Sequence, residues 1–168
     1  ILFLFSILAI PMMGQYFVPN QGQWKESFSF RWMNNQGAVF LEDNGLSIHL
    51  VDFSAFEYHH DTHNSGNELF DMNLIKHHGV KMRFKNGQKG SWLAEDKNES
   101  YHNYIIGKDS SRWKSNVPIY GSVSHRNIYD GVDIKYYTDG NSIKYDLVIA
   151  PHGNYEEISM EYTGIDSL

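Results

Sequence analysis

Apolar residues recur at every second position along much of this chain, and all predictions about its fold depend on that period. Successive side chains of a β-strand point to opposite faces, so each such run is predicted to be a strand with one buried and one solvated face. The runs are Phe28, Phe30 and Trp32; Leu46, Ile48 and Leu50; Val80, Met82 and Phe84; Val132, Ile134 and Tyr136; Ile143, Tyr145, Leu147 and Ile149; and Ile158, Met160 and Tyr162. The 3.6-residue period of an amphipathic helix is hard to find. The chain is therefore predicted to be all-β.

Turn signals separate several of these runs. Four dipeptides tolerate the positive φ angles of tight turns, namely Asn44-Gly45, Asn86-Gly87, Asp130-Gly131 and Asp139-Gly140. One antiparallel hairpin is predicted to join residues 38–41 to residues 46–51. A second is predicted to join residues 134–137 to residues 143–149 across Gly140. Short, regularly spaced strands of this kind predict an antiparallel β-sandwich-like domain.

Two stretches of the sequence lack the two-residue period. Residues 54–76 are polar and rich in histidine, and they are predicted to form a long surface loop. Residues 109–118 (DSSRWKSNVP) form a second irregular stretch. The expected fold is thus a β-sandwich-like domain that carries one long polar, histidine-rich loop.

The first thirteen residues (ILFLFSILAIPMM) carry no charge, and polar sequence follows at once. This pattern is typical of a secretory signal peptide, so residues 1–15 are predicted to be an export signal cleaved near Gly14 or Gln15. A transmembrane helix is the alternative, but thirteen helical residues at about 1.5 Å each are too short for a hydrocarbon core of about 30 Å. The chain begins with Ile1 and lacks a preceding basic segment, so we expect the signal to be truncated at its start.

Composition narrows the classes of partner and of chemistry. The net charge is −6 and the basic residues are scattered, which argues against a nucleic-acid partner. The chain has no cysteine, so it cannot be a disulfide-stapled domain, use a catalytic thiol or bind zinc through sulfur. Residues 16–168 are long enough to bury a core and are predicted to form a single all-β domain.

A histidine cluster is the sharpest local signal for a metal site. His59, His60 and His63 lie close together in the predicted polar loop, and His77 and His78 are expected to close the same loop. Neutral imidazoles bind zinc, so the first three are candidate zinc ligands, or the metal centre of a hydrolase if they converge with an acidic residue. Solvated loop histidines are the alternative, since the zinc-protease pattern HExxH is absent.

Catalytic patterns are otherwise missing. The adjacent acidic pairs Glu42-Asp43, Glu95-Asp96 and Glu156-Glu157 are predicted to be solvated turn residues rather than the paired carboxylates of a glycosidase. No G-x-S-x-G nucleophile pattern occurs. The sequence therefore predicts a protein that is not an enzyme and that needs no cofactor.

Aromatic residues make up 15% of the chain and suggest a carbohydrate-binding alternative. Trp32, Trp92 and Tyr137 are candidate ligand contacts, because exposed aromatic faces stack on sugars. Trp24 and Trp113 are expected to fill the core instead, as aromatic residues of sandwiches commonly do. Burial of the tryptophans would count against this alternative.

Several strings in colinear order resemble a known family. FVPNQGQW (residues 17–24) is similar to the F-x-x-N-x-G-Q-W opening of an N-terminal domain found in large exported bacterial surface proteins. Further similar strings are NYIIGKDSSRW (residues 103–113), NVPIY (residues 116–120), IYDGVDIKYY (residues 128–137) and IKYDLVIAP (residues 143–151). Proteins with this domain carry β-propeller repeats, PKD or Ig-like modules, or a gliding-motility-associated sorting domain of the type IX secretion system.

The resemblance implies a role rather than a site. The family domain is uncharacterised and offers no catalytic residues to transfer. It implies a structural or adhesion module that is secreted and associated with the cell surface, without a membrane span. Its expected partners are downstream domains of the same chain, beyond Leu168, and an extracellular glycan or protein. A carbohydrate-binding module and a metal-binding domain or hydrolase remain the two alternatives.

Overall fold

The computed structural model describes residues 15–52 and 76–165, which form ten β-strands and no α-helix. The strands are β1 (Val18–Pro19), β2 (Phe30–Asn34), β3 (Gly37–Glu42), β4 (Gly45–Asp52), β5 (Lys76–Phe84), β6 (Ser91–Tyr104), β7 (Lys114–Tyr129), β8 (Val132–Asp139), β9 (Ser142–Ile149) and β10 (Met160–Thr163). Two short 3₁₀ turns cover Ser110–Arg112 and Tyr155–Glu157. The prediction of an all-β chain is confirmed.

The strands form two antiparallel sheets that make a sandwich-like fold, as predicted. The six-stranded sheet has the order β1-β2-β3-β4-β5-β10, and the four-stranded sheet has the order β6-β7-β8-β9. Phe17, just before β1, joins the two sheets. Its backbone N–H donates to the carbonyl of Tyr120 at 2.8 Å, and the N–H of Tyr120 donates back at 3.0 Å.

Both predicted hairpins are confirmed. In the β3–β4 hairpin, Glu42 pairs with Gly45 across a two-residue loop. In the β8–β9 hairpin, Asp139 pairs with Ser142, and Gly140 adopts a φ of 59°. The Asn86-Gly87 turn has a different role, because it lies on the connection from β5 in one sheet to β6 in the other.

The predicted boundaries of the two irregular stretches were wrong. Lys76, the last residue of the first stretch, begins β5, where His77 pairs with Val51 and His78 with Leu50. Residues 114–118 belong to β7 rather than to an irregular segment. Residues 53–75, with most of the predicted histidine-rich loop, lie outside the described residues, as do residues 1–14 of the predicted signal peptide. No helix among the described residues is long and apolar enough to cross a membrane.

The core lies between the two sheets. Its fully or nearly buried members are Phe17, Phe30, Trp32, Val39, Leu41, Leu46, Met82, Phe84, Val123, Ile128, Tyr129, Val132, Ile134 and Tyr136. A smaller cluster of Val18, Tyr104, Val117 and Ile119 receives the half-buried Trp24. The expectation that Trp113 would also lie in the core was wrong, because it is 42% exposed.

Candidate functional site

Three of the six predicted site residues, Trp32, Trp92 and Tyr137, lie among the described residues. The candidate zinc ligands His59, His60 and His63 lie outside the described residues. Within residues 15–52 and 76–165, no group of three or more histidine and carboxylate side chains is arranged to hold a metal ion. The three candidate ligand contacts, Trp32, Trp92 and Tyr137, lie on different strands, β2, β6 and β8.

Trp32 is a core residue and not a ligand contact. It is 3% exposed, and its indole N–H donates to the hydroxyl of Thr138 in the opposite sheet at 2.9 Å. That hydroxyl in turn donates to the backbone carbonyl of Gln15 at 2.9 Å. Because no face of the indole reaches solvent, Trp32 cannot stack on a sugar, which counts against the carbohydrate-binding alternative.

Trp92 and Tyr137 also offer no shared sugar platform. The Trp92 ring stacks on His125, with centroids 4.4 Å apart and an interplanar angle of 11°, and it contacts Phe30 at 5.5 Å. Tyr137 is half-buried and donates its hydroxyl to Asp146 at 3.3 Å. Since neighbouring rings of this protein already cover the indole of Trp92, the arrangement counts against sugar stacking there.

His125, next to Trp92, is the most deeply buried ionisable group that the sequence did not single out. It is 1% exposed, and its Nε2 atom has no hydrogen-bond partner among the described residues. Burial lowers the pKa of His125, and the negative charges of Asp43 and Asp133 oppose this effect only in part. The imidazole is therefore held neutral and serves as a stacking surface for Trp92.

A pH-dependent stability follows from His125. In the unfolded chain His125 takes up a proton near pH 6.5, whereas in the folded chain its lowered pKa delays protonation. Acid therefore favours the unfolded chain, and the stability that is present above pH 6.5 is lost as the pH falls through the lowered folded pKa. The His125→Phe variant keeps a stacking ring without the proton site. As the pH decreases, we expect the free energy of unfolding to fall less steeply in the variant than in the parent. The two slopes are expected to differ by up to about 1.4 kcal/mol per pH unit. Urea denaturation between pH 5 and 8 measures this, and identical slopes in both proteins would contradict it.

Asp43 lies at the edge of a polar depression of about 430 Å³ that also includes Glu26, Glu42 and Arg83. Both members of the predicted acidic pair are already in ion pairs. Lys89 lies 2.9 Å from Asp43, and Lys81 lies 3.0 Å from Glu42. The hydrogen bond from Lys89 lowers the pKa of Asp43 below its usual value. These carboxylates therefore take part in ion pairs within the chain.

A second polar network lies on the outward face of the four-stranded sheet. The hydroxyl of Ser122 donates to Asp96 at 2.7 Å, and that of Ser124 donates to Glu95 at 3.0 Å. Lys135 completes the network 3.2 Å from Glu95. The prediction that Glu95 and Asp96 lie in a turn was wrong, because both belong to β6 and the register of β6 and β7 brings them to the two serines. The network fixes two buried serines to carboxylates on the adjacent strand.

The connection between β6 and β7 holds apolar side chains in solvent. Ile105, Ile106 and Trp113, which we call the apolar tip, are 56%, 70% and 42% exposed. The backbone beneath them is hydrogen-bonded. Asp109 accepts bonds from the backbone N–H of Ser111 at 3.2 Å and from its hydroxyl at 2.6 Å, and the Trp113 indole donates to the carbonyl of Gly107 at 3.2 Å.

Comparisons with known proteins identify a family for this architecture. No curated protein and no solved structure matches the chain. Residues 17–168 match a family described as Domain of unknown function (DUF7948). The match begins at Phe17, which bridges the two sheets, and takes in every strand of the described structure. The chain therefore belongs to the family Domain of unknown function (DUF7948).

Proposed function

We propose that this chain is a non-catalytic structural and adhesion module that acts through contacts with extracellular proteins. The apolar tip is the observation that carries this proposal. Its side chains have large exposed fractions, while side-chain hydrogen bonds hold the backbone that presents them. Exposed apolar groups on an ordered segment favour contact with a partner, because little conformational freedom is lost on binding.

The use of the hydroxyl and acidic groups supports a role without catalysis. A serine nucleophile needs an adjacent general base. Among the described residues, Ser122 donates to Asp96 and Ser124 donates to Glu95, which also pairs with Lys135, and neither hydroxyl is bonded to a histidine. These groups are engaged in stabilising the sheet.

Export to the cell surface is part of the same proposal. The uncharged apolar run of residues 1–13 supports it, as does the resemblance of residues 17–24 to the opening of exported bacterial surface proteins. In this setting the module would contact an extracellular protein or downstream domains of the same chain. Such contacts commonly bury about 800 Å² on each partner, which is more than the tip alone provides. Neighbouring surface would therefore have to take part.

The test is a titration of fluorescently labelled chain onto intact cells of the organism that encodes it. We expect saturable binding that protease treatment of the cells abolishes. Ile105→Ser combined with Ile106→Asp is expected to weaken it at least about tenfold, because each isoleucine would otherwise be buried in the contact. Val148→Asp is the matched control, since Val148 is an apolar residue that is 50% exposed but lies on β9, and it should bind like the parent.

Two outcomes would contradict the proposal. One is the absence of saturable binding, and the other is unchanged binding by the tip variant. Binding that resists protease but disappears after periodate oxidation of the cells would favour the carbohydrate-binding alternative. In that case the exposed Trp113 would be the contact to replace next.

A further inference from the structure

Two histidines meet on the outer face of the six-stranded sheet, away from the apolar tip. His49 lies on β4 and His77 on β5, two positions out of direct register, because His49 pairs with Gly79 and His77 with Val51. The Nε2 atom of His49 lies 3.1 Å from the Nδ1 atom of His77. Both side chains are exposed.

The separation of these nitrogens suits two ligands of one metal ion. Zinc binds imidazole nitrogen at about 2.0–2.1 Å, so two neighbouring ligands are about 3.3 Å apart in a tetrahedral site and about 2.9 Å apart at a right angle. The observed 3.1 Å lies between these values. The backbone register therefore already supplies the spacing that coordination requires.

The ring orientation shows what must change when an ion binds. The ring planes are within 19° of parallel and the centroids are 5.1 Å apart, so the two nitrogens face each other across a shared hydrogen. In the neutral pair, that hydrogen can move to the other nitrogen of its own ring, which leaves a lone pair on each facing nitrogen. Coordination of one ion would require both exposed rings to turn toward a common point.

Gly79 leaves room for the remaining ligands of the ion. It lies directly opposite His49 and on the same face as His77, two residues along β5. A β-carbon placed at Gly79 would meet no other atom within 4 Å. Water molecules can therefore complete the coordination sphere beside the two imidazoles.

We propose that His49 and His77 form a binding site for a divalent transition-metal ion of the kind that imidazole prefers, zinc, copper or nickel. The proposed site does not include His59, His60 or His63, and it does not depend on the proposed adhesion role. Two protein ligands and open solvent make an exchangeable site rather than a structural one, since structural zinc sites use four protein ligands.

The experiment is isothermal titration of the metal-free full chain with zinc chloride. The parent is expected to bind zinc, and His49→Gln or His77→Gln alone is expected to weaken that site at least about tenfold. The matched control is His78→Gln, because His78 is the next residue of β5 and points to the opposite face. This control should bind zinc at the site as tightly as the parent does. So should the triple variant that combines His59→Gln, His60→Gln and His63→Gln.

A gain of affinity provides a test that loss of folding cannot imitate. Gly79→His places a third imidazole beside the pair in open space and should tighten zinc binding at least about tenfold. Unchanged affinity in Gly79→His would overturn the proposal. So would zinc binding that survives the double replacement of His49 and His77, or that disappears only when His59, His60 and His63 are replaced.

Discussion

Replacing Trp32 with alanine is expected to lower the free energy of unfolding by about 3–5 kcal/mol. The side chain is 3% exposed and lies between the two sheets, so its removal leaves a cavity that rigid strands on both sides cannot close. The change also removes the hydrogen bond of 2.9 Å that the Thr138 hydroxyl accepts from the indole N–H. Urea denaturation followed by circular dichroism measures the loss.

Trp113→Ala is the matched control for this prediction. It removes the same side chain from a position that is 42% exposed, so we expect it to cost less than about 1 kcal/mol. Trp32→Phe keeps a buried aromatic ring but loses the hydrogen bond and part of the indole volume, so its expected cost is smaller than that of alanine, at about 1–3 kcal/mol. Equal effects of alanine at positions 32 and 113 would contradict the described core.

The contrast between these tryptophans shows where sequence reasoning succeeded and failed. Trp32 belongs to an alternating run with Phe30, and the period alone places both on the buried face of β2. Its residue type nevertheless suggests a ligand contact, and its burial contradicts that prediction. Trp113 lies in a stretch without a period, so nothing in the local pattern could place it, and the expectation of burial failed.

Strands with one solvated face were the predictable part of the fold. Both confirmed hairpins contain at least one alternating strand and a two-residue loop with a glycine in it, as at Gly140, or directly after it, as at Gly45. The long pair β6 and β7 was not predicted. Its register shifts between Lys97 and Tyr101, which breaks the two-residue period, and β7 buries Ser122 and Ser124 as if they were apolar.

The histidine pair was beyond sequence reasoning for a different reason. His49 and His77 lie 28 positions apart, and residues 53–75 separate their strands. The alternating runs predict that β4 and β5 are strands, but they do not predict which strands pair or in which register. Only the pairing of His49 with Gly79 brings the two imidazoles to one place on the sheet.

Gly45 and Gly140 look alike in the sequence, since each follows an Asn or Asp between two predicted strands, but we expect different costs when each becomes alanine. Gly45 has a φ of 138°, and a β-carbon there would lie 2.0 Å from the carbonyl oxygen of Met82 on the neighbouring strand. The backbone of β4 or β5 would have to move. Gly45→Ala is therefore expected to cost more than about 3 kcal/mol, through strain and steric overlap together.

Gly140→Ala separates the two contributions to that cost. Gly140 also has a positive φ, 59°, but a β-carbon there meets nothing within 4 Å, so only the conformational penalty of about 1–2 kcal/mol applies. Thermal and urea unfolding of both variants provide the comparison. If Gly45→Ala cost no more than Gly140→Ala, the close approach of β4 to β5 at Met82 would be wrong. The register that brings His49 near His77 would then also be contradicted, because the pairing of β4 with β5 determines both contacts.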